Sequence, residues 1–228
     1  MNKIFAVRLK KLNDSKFNKI LPLISLEKQN KAKKFLKKKD AYRTIIGEIL
    51  IRSLIYNEFK IKNQNIIFKK NDYGKPFLKD YPEFHFNVSH SGEWVVCAVS
   101  DRKIGIDIEK IDFIDFKIAQ NFFTKEEYNN LMSKNKKDRL EYFYYLWTSK
   151  ESYIKAVGKG LSISLDSFII KENNKIWLKR HLEFSNFFLK NYNLNSDYKL
   201  TVCALNKSFA NGVIIKEYEE IFNNLGGV

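Results

Sequence analysis

This chain predicts an α+β fold made of two similar lobes, on three observations. Apolar residues recur at helical spacing over one long stretch, 27–59, and again over a second that ends near residue 157. Each stretch is followed by short runs rich in β-branched and aromatic residues. Turn residues separate those runs closely enough for antiparallel pairing, so helix-then-strands occurs twice, although identity between the halves is too low to prove a duplication.

Taken in order, the elements begin with a strand around Ile4–Arg8. Residues 27–59 read as mostly helical because Ile45, Ile46, Ile49, Leu50 and Leu54 fall on one face. The lysine run Lys28, Lys31, Lys33, Lys34, Lys37, Lys38, Lys39 at its start is, for most members, a solvated face. Asn71–Pro76 is a turn by its Gly and Pro. Then FHFNVSHSGEWVVCAVSDRKIGIDIEKI, broken at Ser91-Gly92 and Asp101–Lys103, reads as a three-stranded antiparallel meander. Its third strand, Lys103–Glu109, turns Gly105, Asp107 and Glu109 to one face and Ile104, Ile106 and Ile108 to the other. Thr124 caps a helix with Glu126 and Glu127 in its first turn, and Gly158 and Gly160 end the helical pattern. Trp147, Glu151 and Lys155, four apart, line one face of that helix. LSISLDSFII, KIWLK and YKLTVCAL supply the strands of the second sheet.

Bulk properties narrow the field. The 228 residues, 44% hydrophobic with 19 Phe and 12 Tyr, can build a core and are not a disordered chain. A formal charge of +15 predicts polyanionic company: nucleic acid, anionic lipid, a phosphate-rich cofactor or an acidic protein. Cys97 and Cys203 each sit in an apolar run, which points to buried thiols in a reducing compartment. No segment approaches a membrane span and the start is too short for a signal-peptide core, so a cytoplasmic location is expected.

Asp107 and Glu109, side by side on a strand and joined by a third acid, would suit magnesium, which takes oxygen ligands and shares them with phosphates. An edge strand bearing exposed acids explains the same pair. Glu151 and Lys155 can equally be a surface i, i+4 ion pair. His90 beside Ser89 can be a polar residue near a turn, since no aspartate is spaced to complete a triad. Trp147 is assigned to packing.

Taken together, YGKP (73–76), FNVSHSGEW (86–94), IGIDIEKI (104–111), FFTKEEY (122–128) and LWTSKESYIKAVGKGLS (146–162) resemble, in order and separation, the 4′-phosphopantetheinyl transferases of the surfactin-synthetase-activating type. The likeness runs from the first strand through Leu165–Phe168, with YKLTVCAL similar to the family's closing strand; residues 171–197 match nothing in it. The resemblance implies a magnesium-dependent enzyme that moves the 4′-phosphopantetheine of coenzyme A onto a serine of an apo carrier protein, acyl, peptidyl or polyketide, releasing adenosine 3′,5′-bisphosphate. It implies two pseudo-symmetric lobes, 1–110 and 111–228, each a small antiparallel sheet with a long helix, fused in a monomer with the site in the cleft.

Residue roles follow from the same resemblance. Asp107, Glu109 and Glu151 would hold Mg²⁺, with Mn²⁺ equally suited to carboxylate and phosphate oxygens. Glu151 would be the base, Glu127 an alternative base, and Lys155 a point charge on the phosphate. Lys28, Lys31, Arg43, Thr44, Lys75, Ser89 and His90 would grip the nucleotide end of coenzyme A. An acidic carrier fits the basic excess, with neither nucleic acid nor membrane as partner. The readings set against this are a nucleic-acid-binding module, which would need a recognised motif and gains nothing from three clustered acids, and a non-catalytic relative that only binds coenzyme A or a carrier.

Overall fold

The structure is a computed structural model and describes residues 2–10, 14–171 and 173–226. The first half runs β1 (Lys3–Arg8), α1 (Asp14–Ile20), α2 (Leu26–Lys33), α3 (Lys38–Phe59), β2 (Phe68–Lys70), β3 (Pro76–Leu78), β4 (His85–Ser91), β5 (Trp94–Ser100) and β6 (Ile104–Lys110). The second runs α4 (Lys117–Phe122), α5 (Lys125–Ser133), α6 (Lys136–Val157), β7 (Phe168–Ile170), β8 (Ile176–Leu178), β9 (Glu183–Phe184), β10 (Phe188–Tyr192), β11 (Tyr198–Ala204), β12 (Ile214–Ile215) and α7 (Tyr218–Asn223).

Two small sheets pack face to face between two 22-residue helices, the α+β arrangement expected. The first sheet has the order β12-β1-β5-β4 and the second β10-β11-β6. Strand alternation sorts the side chains into layers. Phe5, Val7, Val95 and Cys97 face α3, where they meet Ile45, Ile46, Ile49 and Leu50. Ile4, Ala6, Val96 and Ala98 face the other way, onto Ile104, Ile106, Leu200 and Val202 of the second sheet. Cys203 and Leu189 then look out onto α6, with Phe143, Leu146 and Tyr153. Burying a Leu or Ile side chain contributes about 1.5–3 kcal/mol, so these three apolar layers carry the fold. Both cysteines are buried and free, as their apolar settings predicted.

Two local expectations need correction, and two further stretches gain detail. The meander has two strands, not three: β4 pairs with β5, but β6 pairs with β11, Asp107 lying opposite Thr201. Side chains of β4 serve the free edge of β6 instead, Asn87 Oδ1 accepting from Ile106 N and Ser91 Oγ from Lys110 N. The 27–59 helix is broken between Lys33 and Lys38, where lysines four apart repel along one face and Leu36 is fully exposed. The second helical stretch divides into α5 and α6 around Lys134-Asn135. Finally, the unrecognised stretch 171–197 contains β10, and the chain's end returns to the first sheet, β12 pairing parallel to β1 and α7 joining the α3 core. The cap on α5 is as expected: Thr124 Oγ1 accepts from Glu127 N while the Glu127 carboxylate accepts from Thr124 N. Among the described residues no helix is long and apolar enough to cross a membrane.

Candidate active site

The site is set by how closely β6 approaches α6. Gly105 lies directly against the helix, where a β-carbon would sit 2.1 Å from Ser152 O and 2.3 Å from Ala156 N. With no side chain to hold the elements apart, the next inward residue, Asp107, comes level with Lys155, one turn along α6 from Glu151. Lys155 Nζ donates to Asp107 Oδ1 at 2.6 Å and to Ser89 Oγ at 3.2 Å. Ser89 Oγ in turn donates to the same Asp107 oxygen at 2.9 Å. Two strands and a helix thus converge on one carboxylate that is 2% exposed.

Glu109 is the next residue on that face, and it accepts from Ser91 Oγ at 2.8 Å. Burial first, then the neighbouring Asp107, pushes its pKa up to about 7. Glu151 is raised as well, by burial and by Asp107 working against the lowering effect of Lys155. Lys155 is held above the ordinary lysine value despite its own burial, because Asp107, Glu151 and Glu109 all favour its charge. Three carboxylates within one another's fields are an unstable arrangement unless cations answer them, and here the Lys155 ammonium does so.

Their donor chemistry fits a hard divalent cation: all three offer carboxylate oxygens, and Asp107 Oδ2 is buried with no hydrogen-bond partner. As the side chains stand, no three His, Cys, Asp or Glu among the described residues form a ready-made cage. The acids are a charge cluster in which Lys155 holds one oxygen of Asp107 and leaves the other free.

Beside the cluster opens a cavity of about 520 Å³ between α2, α3, β4 and the β2–β3 hairpin. Lys28, Lys31, Arg43, Thr44 and His90 all line it. Lys28 is pulled below its usual pKa by burial and then by Lys31, against the opposing effect of Glu48 and Glu27. Packing around the imidazole, together with Arg43, Lys155 and Lys28, likewise depresses His90. Arg43 is fixed by two bonds to Gly92 O, at 3.0 and 2.7 Å, and by Asp40 at 2.5 Å. The far wall is apolar, with Ile51, Phe68 and Phe86, above the buried Glu48–Arg52 pair. An anionic ligand with a flat hydrophobic portion suits such a lining.

Ser89, expected at the nucleotide end, is bonded to Asp107 instead and does not line the cavity, and two further predicted residues lie elsewhere. Lys75 donates to the carbonyl oxygens of Ile104 (2.9 Å), Lys155 (2.6 Å) and Ala156 (3.4 Å) and does not line the cavity. Glu127 is 1% exposed in the core of the second lobe, paired to Lys150 at 2.8 Å and accepting from Ile170 N. With its oxygens committed to the cap, to Lys150 and to β7, it is no base for this site. Trp147 packs as expected, stacked on Phe143 and edge-on to Phe122. Ser91 and Asn87 went unrecognised, although the alternation Asn87, Ser89, Ser91 along β4 places three hydroxyl or amide groups at the spacing of Gly105, Asp107 and Glu109.

Residues 11–102 match the family model described as 4′-phosphopantetheinyl transferase, N-terminal, and residues 103–203 that of the 4′-phosphopantetheinyl transferase superfamily. The chain is 39% identical to 4′-phosphopantetheinyl transferase Sfp of Bacillus subtilis (strain 168), over 96% of this chain and 99% of that one. It is 43% identical to 4′-phosphopantetheinyl transferase gsp of Aneurinibacillus migulanus, over 91% of this chain and 87% of that one. An L-aminoadipate-semialdehyde dehydrogenase-phosphopantetheinyl transferase of Xenopus laevis is 36% identical over 61% of this chain and 51% of its own. With near-complete coverage at such identity, and family models matching residues 11–102 and 103–203, this chain belongs to the 4′-phosphopantetheinyl transferase family.

Proposed function

We propose that this protein transfers the 4′-phosphopantetheine moiety of coenzyme A to a serine of an apo carrier protein. The observation that carries the reading is the Asp107–Lys155–Ser89 cluster, joined by Glu109 and Glu151, at the edge of a cavity lined by Lys28, Lys31, Arg43, Thr44 and His90. Neither the nucleic-acid nor the binding-only reading has an observation of its own.

In this reading the cationic cavity takes the nucleotide phosphates by charge-assisted hydrogen bonds, leaving the pyrophosphate at the acid cluster. Asp107, Glu109 and Glu151 would hold magnesium, which when bound supplies Lewis-acid polarisation of the phosphoryl group. Lys155 carries its charge to the transferring phosphate, and Ser89 fixes the Asp107 oxygen that orients Lys155. Glu151, one turn of α6 from Lys155, takes the proton of the carrier serine. The serine oxygen forms a bond to phosphorus, the pyrophosphate P–O bond breaks, and the electron pair leaves with adenosine 3′,5′-bisphosphate.

The finer features belong to the same proposal: a monomer whose lobes are 1–110 and 111–228, working in the cytoplasm on acidic carriers of natural-product pathways. The formal charge of +15 supports an acidic partner, and raising salt should then slow transfer at low carrier concentration. The direct test is incubation with coenzyme A, Mg²⁺ and a panel of apo carriers, read by intact mass, with Asp107→Ala as control. A phosphopantetheine-sized gain that needs metal and Asp107 establishes the activity; no gain on any carrier, with coenzyme A still bound, overturns it.

A further inference from the structure

We infer that Lys75 is a positioning residue for the transfer reaction: reaching across from the first lobe, it holds the last turn of α6, and with it Lys155, in register with the acids. The inference rests on the transfer reading above. An ammonium has three donors, and Lys75 directs them at three carbonyls, of Ile104 on β6 and of Lys155 and Ala156 on α6. The last carbonyls of a helix have no acceptor role inside it, so Lys155 O and Ala156 O need an outside donor. A positive charge at that end also complements the helix dipole. No donor remains for a phosphate.

The turn that carries Lys75 is built for this contact. Asn71 Oδ1 accepts from Tyr73 N at 3.0 Å and Lys75 N at 2.8 Å, fixing the loop, while Asn71 Nδ2 donates to Gly158 O at 2.8 Å. Gly158 closes α6 at φ +80°, and a β-carbon there would lie 2.8 Å from Lys75 Cδ. Glycine is therefore required twice over, for the left-handed backbone and for room beside the lysine stem. On its other side the same β2–β3 hairpin contributes Lys70 and Pro76 to the wall of the anion cavity. One rigid turn thus touches the nucleotide pocket with one face and the end of the catalytic helix with the other, so Lys75 acts on turnover through Lys155 instead of on nucleotide affinity.

The test compares Lys75→Met, Asn71→Ala and, as a cavity control, Lys28→Met. Three readouts are taken: kcat and KM for coenzyme A, the Kd of adenosine 3′,5′-bisphosphate by calorimetry, and amide hydrogen exchange at residues 154–158. For Lys75→Met we expect kcat lowered about tenfold or more, a Kd within about twofold of wild type, and faster exchange at the end of α6. Asn71→Ala should shift the same quantities less, and Lys28→Met should weaken Kd about tenfold or more. A Kd weakened about tenfold in Lys75→Met with kcat intact overturns the inference in favour of a phosphate contact. Unchanged kcat and exchange overturn it as well. Should Lys75→Met not fold, Asn71→Ala decides by the same readouts. If wild type modifies no carrier, the transfer reading fails, whereas exchange and nucleotide binding still decide whether the clasp exists.

Discussion

The α-carbon of Gly105 faces α6 so closely that a methyl group in place of its hydrogen would lie 2.1 Å from the backbone oxygen of Ser152. Backbone cannot step aside as a flexible side chain can, so the helix would have to lift from the sheet. Gly105→Ala should cost about 1–3 kcal/mol or more in urea denaturation and lower transfer on the order of a hundredfold through displacement of Lys155 and Glu151. A variant with wild-type stability and rate would show that the two lobes slide freely here.

Chelation gives the second expectation. Because Asp107 Oδ2 is buried without a partner and two further carboxylates stand in its field, EDTA should abolish transfer and Mg²⁺ should restore it. Asp107→Asn keeps the shape and removes the charge, and should raise the metal concentration for half-maximal rate about tenfold or more. Rates that are the same in EDTA, or in Asp107→Asn at limiting metal, would contradict the metal assignment.

Glu127 and Lys150 make the third. Both are buried, 1% and 0% exposed, and Lys150 Nζ also donates to Leu165 O and Phe168 O. Glu127→Gln leaves that ammonium uncompensated in the core, for an expected loss of about 3–5 kcal/mol by chemical denaturation. At a temperature where the variant is folded, its kcat should lie within tenfold of wild type, unlike Glu151→Gln. A folded but inactive Glu127→Gln would return Glu127 to the chemistry.

Lys75 supplies a pH dependence. Burial, then the charge of Lys103, draws its pKa from 10.5 down to about 8, against a smaller opposing effect of Cys203. Between these values the unfolded chain binds the proton and the folded one releases it, so the stability difference moves in favour of the folded state as pH rises through that window. From pH 8 to 10.5 the stability of wild type relative to Lys75→Met should therefore increase, by about 1–3 kcal/mol. Urea midpoints at several pH values check it; a difference that is flat or falls with pH would be the wrong sign.

Much of the fold was legible because its signals are local. The period of two in Ile104–Glu109 placed Asp107 and Glu109 on one face, and the spacing of four along 147–155 put Glu151 and Lys155 on another. Thr124 and Glu127 announced their capping box in four residues. The cavity residues Lys28, Lys31, Arg43, Thr44 and His90 came instead from motif likeness, and the structure gathers them around one space.

The sequence by itself determined the α+β class, the shared faces of the acids and the family. Only the tertiary structure decided that β6 leaves its neighbour for β11, that Lys75 spends its donors on α6, and that Glu127 is sealed in with Lys150. Periodicity fixes which way a side chain points from its own helix or strand. What it meets there belongs to a segment some 80 residues away in the case of Lys75 and Lys155, and is set by packing.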